Sequence, residues 1–129
     1  MYTASFTRHW SLLLLFLIPM AVASSCKQND DPAPGSVVGS WIGKYSTNAT
    51  TVPNITWDTM ILTSSGALQG SDRMGTFNVS GNVITATYVR TGTTFSFRCD
   101  IKEDFNKLEG TWGNGASQTN GGLMVLTKQ

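Results

Sequence analysis

Between Val37 and the C-terminus, short runs rich in β-branched and aromatic residues are separated at close intervals by clusters of Gly, Asn, Ser and Asp. That rhythm predicts an all-β sandwich or barrel. The clearest alternation lies in the sixth run, where Phe95, Phe97, Cys99 and Ile101 fall on one face and Thr94, Ser96, Arg98 and Asp100 on the other. Leu108 and Trp112 oppose Glu109 and Thr111 in the same way. One apolar and one wet face per strand marks an antiparallel sheet. No window carries a helical period, and Glu103-Asp104-Phe105-Asn106 reads as a turn between strands.

The pattern predicts eight strands: Val37–Ser46, Ile55–Thr63, Ala67–Ser71, Met74–Val79, Val83–Arg90, Thr93–Ile101, Lys107–Gly113 and Gly121–Lys128. Ser64-Ser65-Gly66, Asp72-Arg73, Ser80-Gly81-Asn82 and Thr91-Gly92 are the compact turns, and Gly81 and Asn82 tolerate positive φ. Loops 47–54 and 114–120 are the longest. Short links make sequential neighbours pair, and eight meandering strands lose their open edges by closing on themselves. The expectation is a single eight-stranded antiparallel meander β-barrel over 37–129, with an interior that side chains fill or that holds one small ligand.

The chain begins differently. Arg8 and His9 precede an apolar run, Leu12 to Val22, and then Ala23-Ser24-Ser25-Cys26. The run has the length of a signal peptide, is short for a membrane span, and carries Pro19 near its end. Ala23-Ser24-Ser25-Cys26 resembles a relaxed bacterial lipobox, although the commonest pattern has leucine where this chain has Ala23. The resemblance implies removal of 1–25 as a lipoprotein signal peptide and diacylation of Cys26. The same small residues also fit cleavage for soluble secretion. Lys27-Gln28-Asn29-Asp30-Asp31 resembles the surface-export signals of lipoproteins in the Bacteroidota. With Pro32 and Pro34, residues 26–36 read as an extended tether, and 27–36 reach at most about 35 Å. The expected location is the outer membrane, facing the cell surface, with the periplasmic face or secretion as alternatives.

After the expected leader, eight acidic and eight basic residues balance. No basic stripe is present, so nucleic acid is not an expected partner. The single histidine, His9, falls in the leader, which removes Ser-His and Cys-His catalysis and histidine metal sites from the mature chain. Asp58, Asp72, Asp100 and Asp104 are scattered and form neither an EF-hand loop nor a carboxylate pair. Arg98 and Asp100 suit a solvated face, and Cys99 an inward, inert position. No cofactor, metal or enzymatic activity is expected.

Gly39-Ser40-Trp41 resembles the Gly-x-Trp of lipocalins and their calycin relatives, and Met60 to Gly70 resembles the second hairpin of avidin-like barrels. The resemblance implies a lipocalin-like barrel in which Lys128, a base near the end of the last strand, packs over Trp41. It does not carry over the biotin site. The avidin family has asparagine where this chain has Gly43, and tyrosine where it has Asp72. Trp41, Tyr45, Phe77, Phe95, Phe97 and Trp112 are the candidates to line a barrel cavity, unless the rings simply fill the core. Asp58-Thr59-Met60 matches the short pattern O-glycosylated in exported Bacteroidota proteins, which makes Thr59 a candidate modification site. The expected function is binding, of a small apolar molecule in the barrel or of a protein through the loops. The alternatives are a small-barrel inhibitor of a protease or lysozyme, and an accessory subunit of a surface complex.

Overall fold

A computed structural model describes residues 36–129. The expected signal peptide, Cys26 and all of the tether but Ser36 lie outside the described residues. The domain is a closed antiparallel barrel of eight strands in sequence order: β1 Gly39–Tyr45, β2 Ile55–Leu62, β3 Ala67–Gly70, β4 Arg73–Ser80, β5 Val83–Arg90, β6 Thr93–Lys102, β7 Lys107–Asn114 and β8 Gly122–Lys128. The meander closes where β1 pairs with β8, with Trp41 opposite Lys128 and Tyr45 opposite Met124. The expected fold class is the observed one, and its architecture is consistent with a calycin-like barrel.

The turns follow their residues. Ser80 pairs with Val83 across Gly81-Asn82, and Gly81 takes φ 58°. Arg90 pairs with Thr93 across Thr91-Gly92, both of which adopt positive φ. This is the backbone of a two-residue hairpin turn that favours Asn-Gly, and Thr91, at φ 47°, is a β-branched residue in a region that its Cβ disfavours. Replacing Thr91 with Asn is expected to stabilise the barrel by about 1 kcal/mol. In thermal unfolding that gain appears as a midpoint about 4–8 °C higher for a domain of this size. Glu103, Asp104 and Phe105 also take positive φ, so the expected turn there is left-handed.

The two ends of the barrel differ. At the end where β1 begins, the interior is filled. Trp41, Met60, Leu62, Leu68, Ile84, Phe97, Leu108, Met124 and Leu126 are buried together with Cys99. Trp41 Nε1 donates to the Val37 carbonyl at 2.8 Å, and Lys128 Nζ sits 5.9 Å from the Trp41 ring centroid, the packing implied by the lipocalin resemblance. Burial pushes the Cys99 thiol far above its ordinary range and keeps it neutral. At the other end, where β1 runs out at Tyr45, the strands open on the two long loops.

β2 breaks its own alternation. Trp41 pairs with Met60 but Gly43 pairs with Trp57, so β2 holds one residue more than β1 over this stretch. The bulge falls at Asp58-Thr59. Met60 and Leu62 point inward as alternation demands, and beyond the bulge the phase is reversed, so that Trp57 is buried and Asp58 exposed. Without the extra residue, Asp58 would face the core and Trp57 the solvent.

Candidate functional site

The open end carries a pocket of about 290 Å³. Its walls are strand-end residues brought to one rim by the meander: Tyr45 closing β1, Trp57 near the start of β2, Tyr88 near the end of β5, Phe95 near the start of β6, and Trp112 near the end of β7. These five rings touch in a closed cycle. Tyr45 meets Trp57 and Trp112 edge-on, each with centroids 5.6 Å apart. Trp57 meets Tyr88 edge-on at 5.9 Å, Tyr88 stacks on Phe95 at 5.6 Å, and Phe95 leans on Trp112 at 6.0 Å. Edge-to-face and offset-stacked geometries suit the ring quadrupoles, so the cycle is mutually supporting.

Local contacts hold the rings in place. Tyr88 and Phe95 are direct cross-strand partners, which sets their stacking. Opposite Tyr88, Gly75 lets β4 approach so closely that a Cβ there would lie 2.1 Å from the Thr87 carbonyl oxygen. The Trp112 ring lies against Gly121, and its Nε1 donates to the Ser46 carbonyl at 2.8 Å. Ser46, buried just past β1, also receives the Leu123 amide at its Oγ and donates from that hydroxyl to the Asn48 carbonyl. One short side chain therefore joins Trp112, β8 and the root of the β1–β2 loop. That loop is ordered by Asn48, whose Oδ1 accepts from the Thr50 and Thr51 amides.

Beneath and beside the rings lies an ionic cluster. Arg73, at the start of β4, has a side chain only 2% exposed. Its Nη2 donates to Asp58 at 3.3 Å and its Nε to Asp72 at 3.2 Å. Arg90 pairs with the same two carboxylates, donating from Nε to Asp72 and lying 3.6 Å from Asp58. The Arg73 guanidinium stands 5.0 Å from the Trp57 ring centroid and 5.9 Å from that of Tyr88. Above all the hydrogen bond from Arg90, and secondarily that from Arg73, holds the Asp72 carboxyl below its ordinary 3.8. Burial pushes the Tyr88 phenol well above its ordinary value, so it stays protonated.

Of the cavity candidates read from the sequence, Tyr45, Phe95 and Trp112 line this pocket. Trp41 and Phe97 are wholly buried in the filled half, and Phe77 is half-buried against that core and does not line the mouth. Trp57, Tyr88, Arg73, Arg90 and Asp58 line the pocket without having been singled out for it. Thr59 is exposed on the outer wall at the bulge, where it borders a wider groove of about 710 Å³ over β8, β1 and β2. That groove is shallow and walled mainly by outward side chains and main chain, so the mouth is the better-built site. Among the described residues no three His, Cys, Asp or Glu side chains gather as a metal site requires.

Compared with known proteins, the chain gives no significant match to a family model, to a curated protein or to a solved structure. The fold and the mouth geometry are therefore the basis for any functional reading.

Proposed function

We propose that this chain is a binding module that holds a small molecule at the mouth of its barrel, anchored to the outer membrane through a lipid on Cys26 and facing the cell surface. The observation that carries the binding reading is the division of the interior. One half is packed with side chains, and the other is an aromatic-walled pocket with polar groups converging on it. A few placed polar groups in an apolar concavity are the usual build of a small-molecule site. At about 290 Å³ the pocket admits about ten non-hydrogen atoms, counting each at a water's share of volume. That is too little for a long acyl chain, so the ligand is a compact molecule at the rim and not a long apolar one inside the barrel. The lipid anchor rests on the lipobox-like Ala23-Ser24-Ser25-Cys26 and the tether behind it.

Titration of the labelled domain with benzyl alcohol, followed by amide and side-chain NMR, tests the site. Shifts confined to Tyr45, Trp57, Tyr88, Phe95 and Trp112, and lost in Tyr45→Ala, are expected. No shift with millimolar benzyl alcohol or with its anionic analogue benzoate, or shifts scattered over the outer wall, would remove the pocket as a site. The anchor is tested separately in a Gram-negative host. Cys26→Ser is expected to leave the membrane fraction, and the wild type to carry a diacylglyceryl mass.

A further inference from the structure

Resting on the proposal that the mouth is a ligand site, we infer that it selects a small planar ring bearing a hydrogen-bond acceptor, preferably a carboxylate, and rejects organic cations. An aromatic cage alone would suggest the opposite, because such cages commonly take ammonium groups. Here the cation position is already filled from within the chain. Arg73 stands over Trp57 and Tyr88, so two of the five rings already face a guanidinium. The charges on the wall agree. Arg73, Arg90 and Asp58 line the pocket, whereas Asp72, the fourth member of the cluster, does not. The cluster is neutral as a whole, yet the face it turns to the pocket carries one net positive charge.

A second observation is independent of the charges. Trp57 Nε1 is the one buried side-chain polar atom without a partner among the described residues. An indole N–H can only donate, and leaving it unpaired in the interior is unfavourable. It belongs to the residue that the β2 bulge turned inward, on the wall of the pocket. An acceptor on a bound ring would complete this donor. The mouth thus holds one buried donor that awaits an acceptor, between ring faces and ring edges that suit a flat molecule.

Three probes of nearly equal size separate the possibilities: benzoate, benzyl alcohol and phenyltrimethylammonium, each titrated into the labelled domain at neutral pH. Benzoate is expected to bind about tenfold or more tightly than the ammonium probe, in keeping with a hydrogen bond to a charged acceptor. It should also move the Trp57 indole N–H resonance downfield. Trp57→Phe keeps a ring and removes the donor, and is expected to erase about tenfold of the benzoate affinity and a smaller part of that of benzyl alcohol, whose hydroxyl accepts only as a neutral group. Equal or tighter binding of phenyltrimethylammonium, or benzoate binding that leaves the Trp57 N–H unmoved, overturns the inference while the ligand site stands. If none of the three probes perturbs the mouth, the ligand site itself falls, and the inference with it.

Discussion

Replacing Trp41 with Ala is expected to cost about 3–5 kcal/mol, the range for deleting a large ring from a packed core. Trp41 has no solvent exposure and sits where the barrel closes, with Met60 across β2 and Lys128 across β8. Three losses coincide. The ring leaves a void that the surrounding strands cannot collapse into, because closure fixes their spacing. The Val37 carbonyl loses the donor that holds the entering chain against the barrel floor. The Lys128 ammonium loses the ring face beneath it. A domain of this size has about 5–15 kcal/mol of stability in total, so the variant should be partly unfolded near physiological temperature. Urea unfolding at constant slope measures the loss. Trp41→Phe should recover most of it, and Lys128→Met should cost no more than about 1 kcal/mol. If Trp41→Ala is no worse than Lys128→Met, the closed end is not packed around this ring.

The strand order and much of the core were legible because alternation is strict where nothing interrupts it. In β6, Phe97, Cys99 and Ile101 are buried while Arg98 and Asp100 are exposed, as their order along the chain requires. Ser96 lies on the outward face of the same strand and is nonetheless buried, because the β7–β8 loop folds over it and the Gly115 carbonyl accepts from its hydroxyl. Loop paths of this kind leave no periodic trace. The mouth was half legible for a related reason. Tyr45, Phe95 and Trp112 continue the inward phase of their strands, and so does Tyr88 after Ile84 and Ala86. Trp57 does not, since counting back from Met60 in twos passes over it, and only the bulge reverses the phase. Arg73 reads as a turn residue beside Asp72, yet β4 begins with it, so it shares the inward phase of Gly75 and Phe77. A buried arginine becomes readable only when the two carboxylates that accept from it are seen to converge, and Asp58 reaches it from fifteen residues upstream across the barrel wall.

That convergence gives the second large effect, and its sign depends on which partner is removed. Asp58→Asn combined with Asp72→Asn is expected to destabilise the barrel by about 3 kcal/mol, because it strands the Arg73 charge at a position closed to water. Arg73→Met is expected to cost far less, about 1 kcal/mol or below, since a side chain of similar length fills the space. The carboxylates it leaves are partly exposed and keep Arg90. Adding Arg73→Met to the double variant should therefore restore most of the lost stability, a coupling that independent sites would not show. The dependence on pH follows from Asp72. Its carboxyl titrates lower in the folded barrel than in the unfolded chain, so its contribution is full above the ordinary value of 3.8 and drains away as pH falls through the folded value. The urea midpoint of the wild type should thus drop on the acid side of pH 4, and Asp72→Asn should flatten that limb while lowering the plateau at neutral pH. A double variant as stable as the wild type would show that Arg73 does not need its carboxylates, and that the cation beneath the aromatic cycle is held by the rings alone.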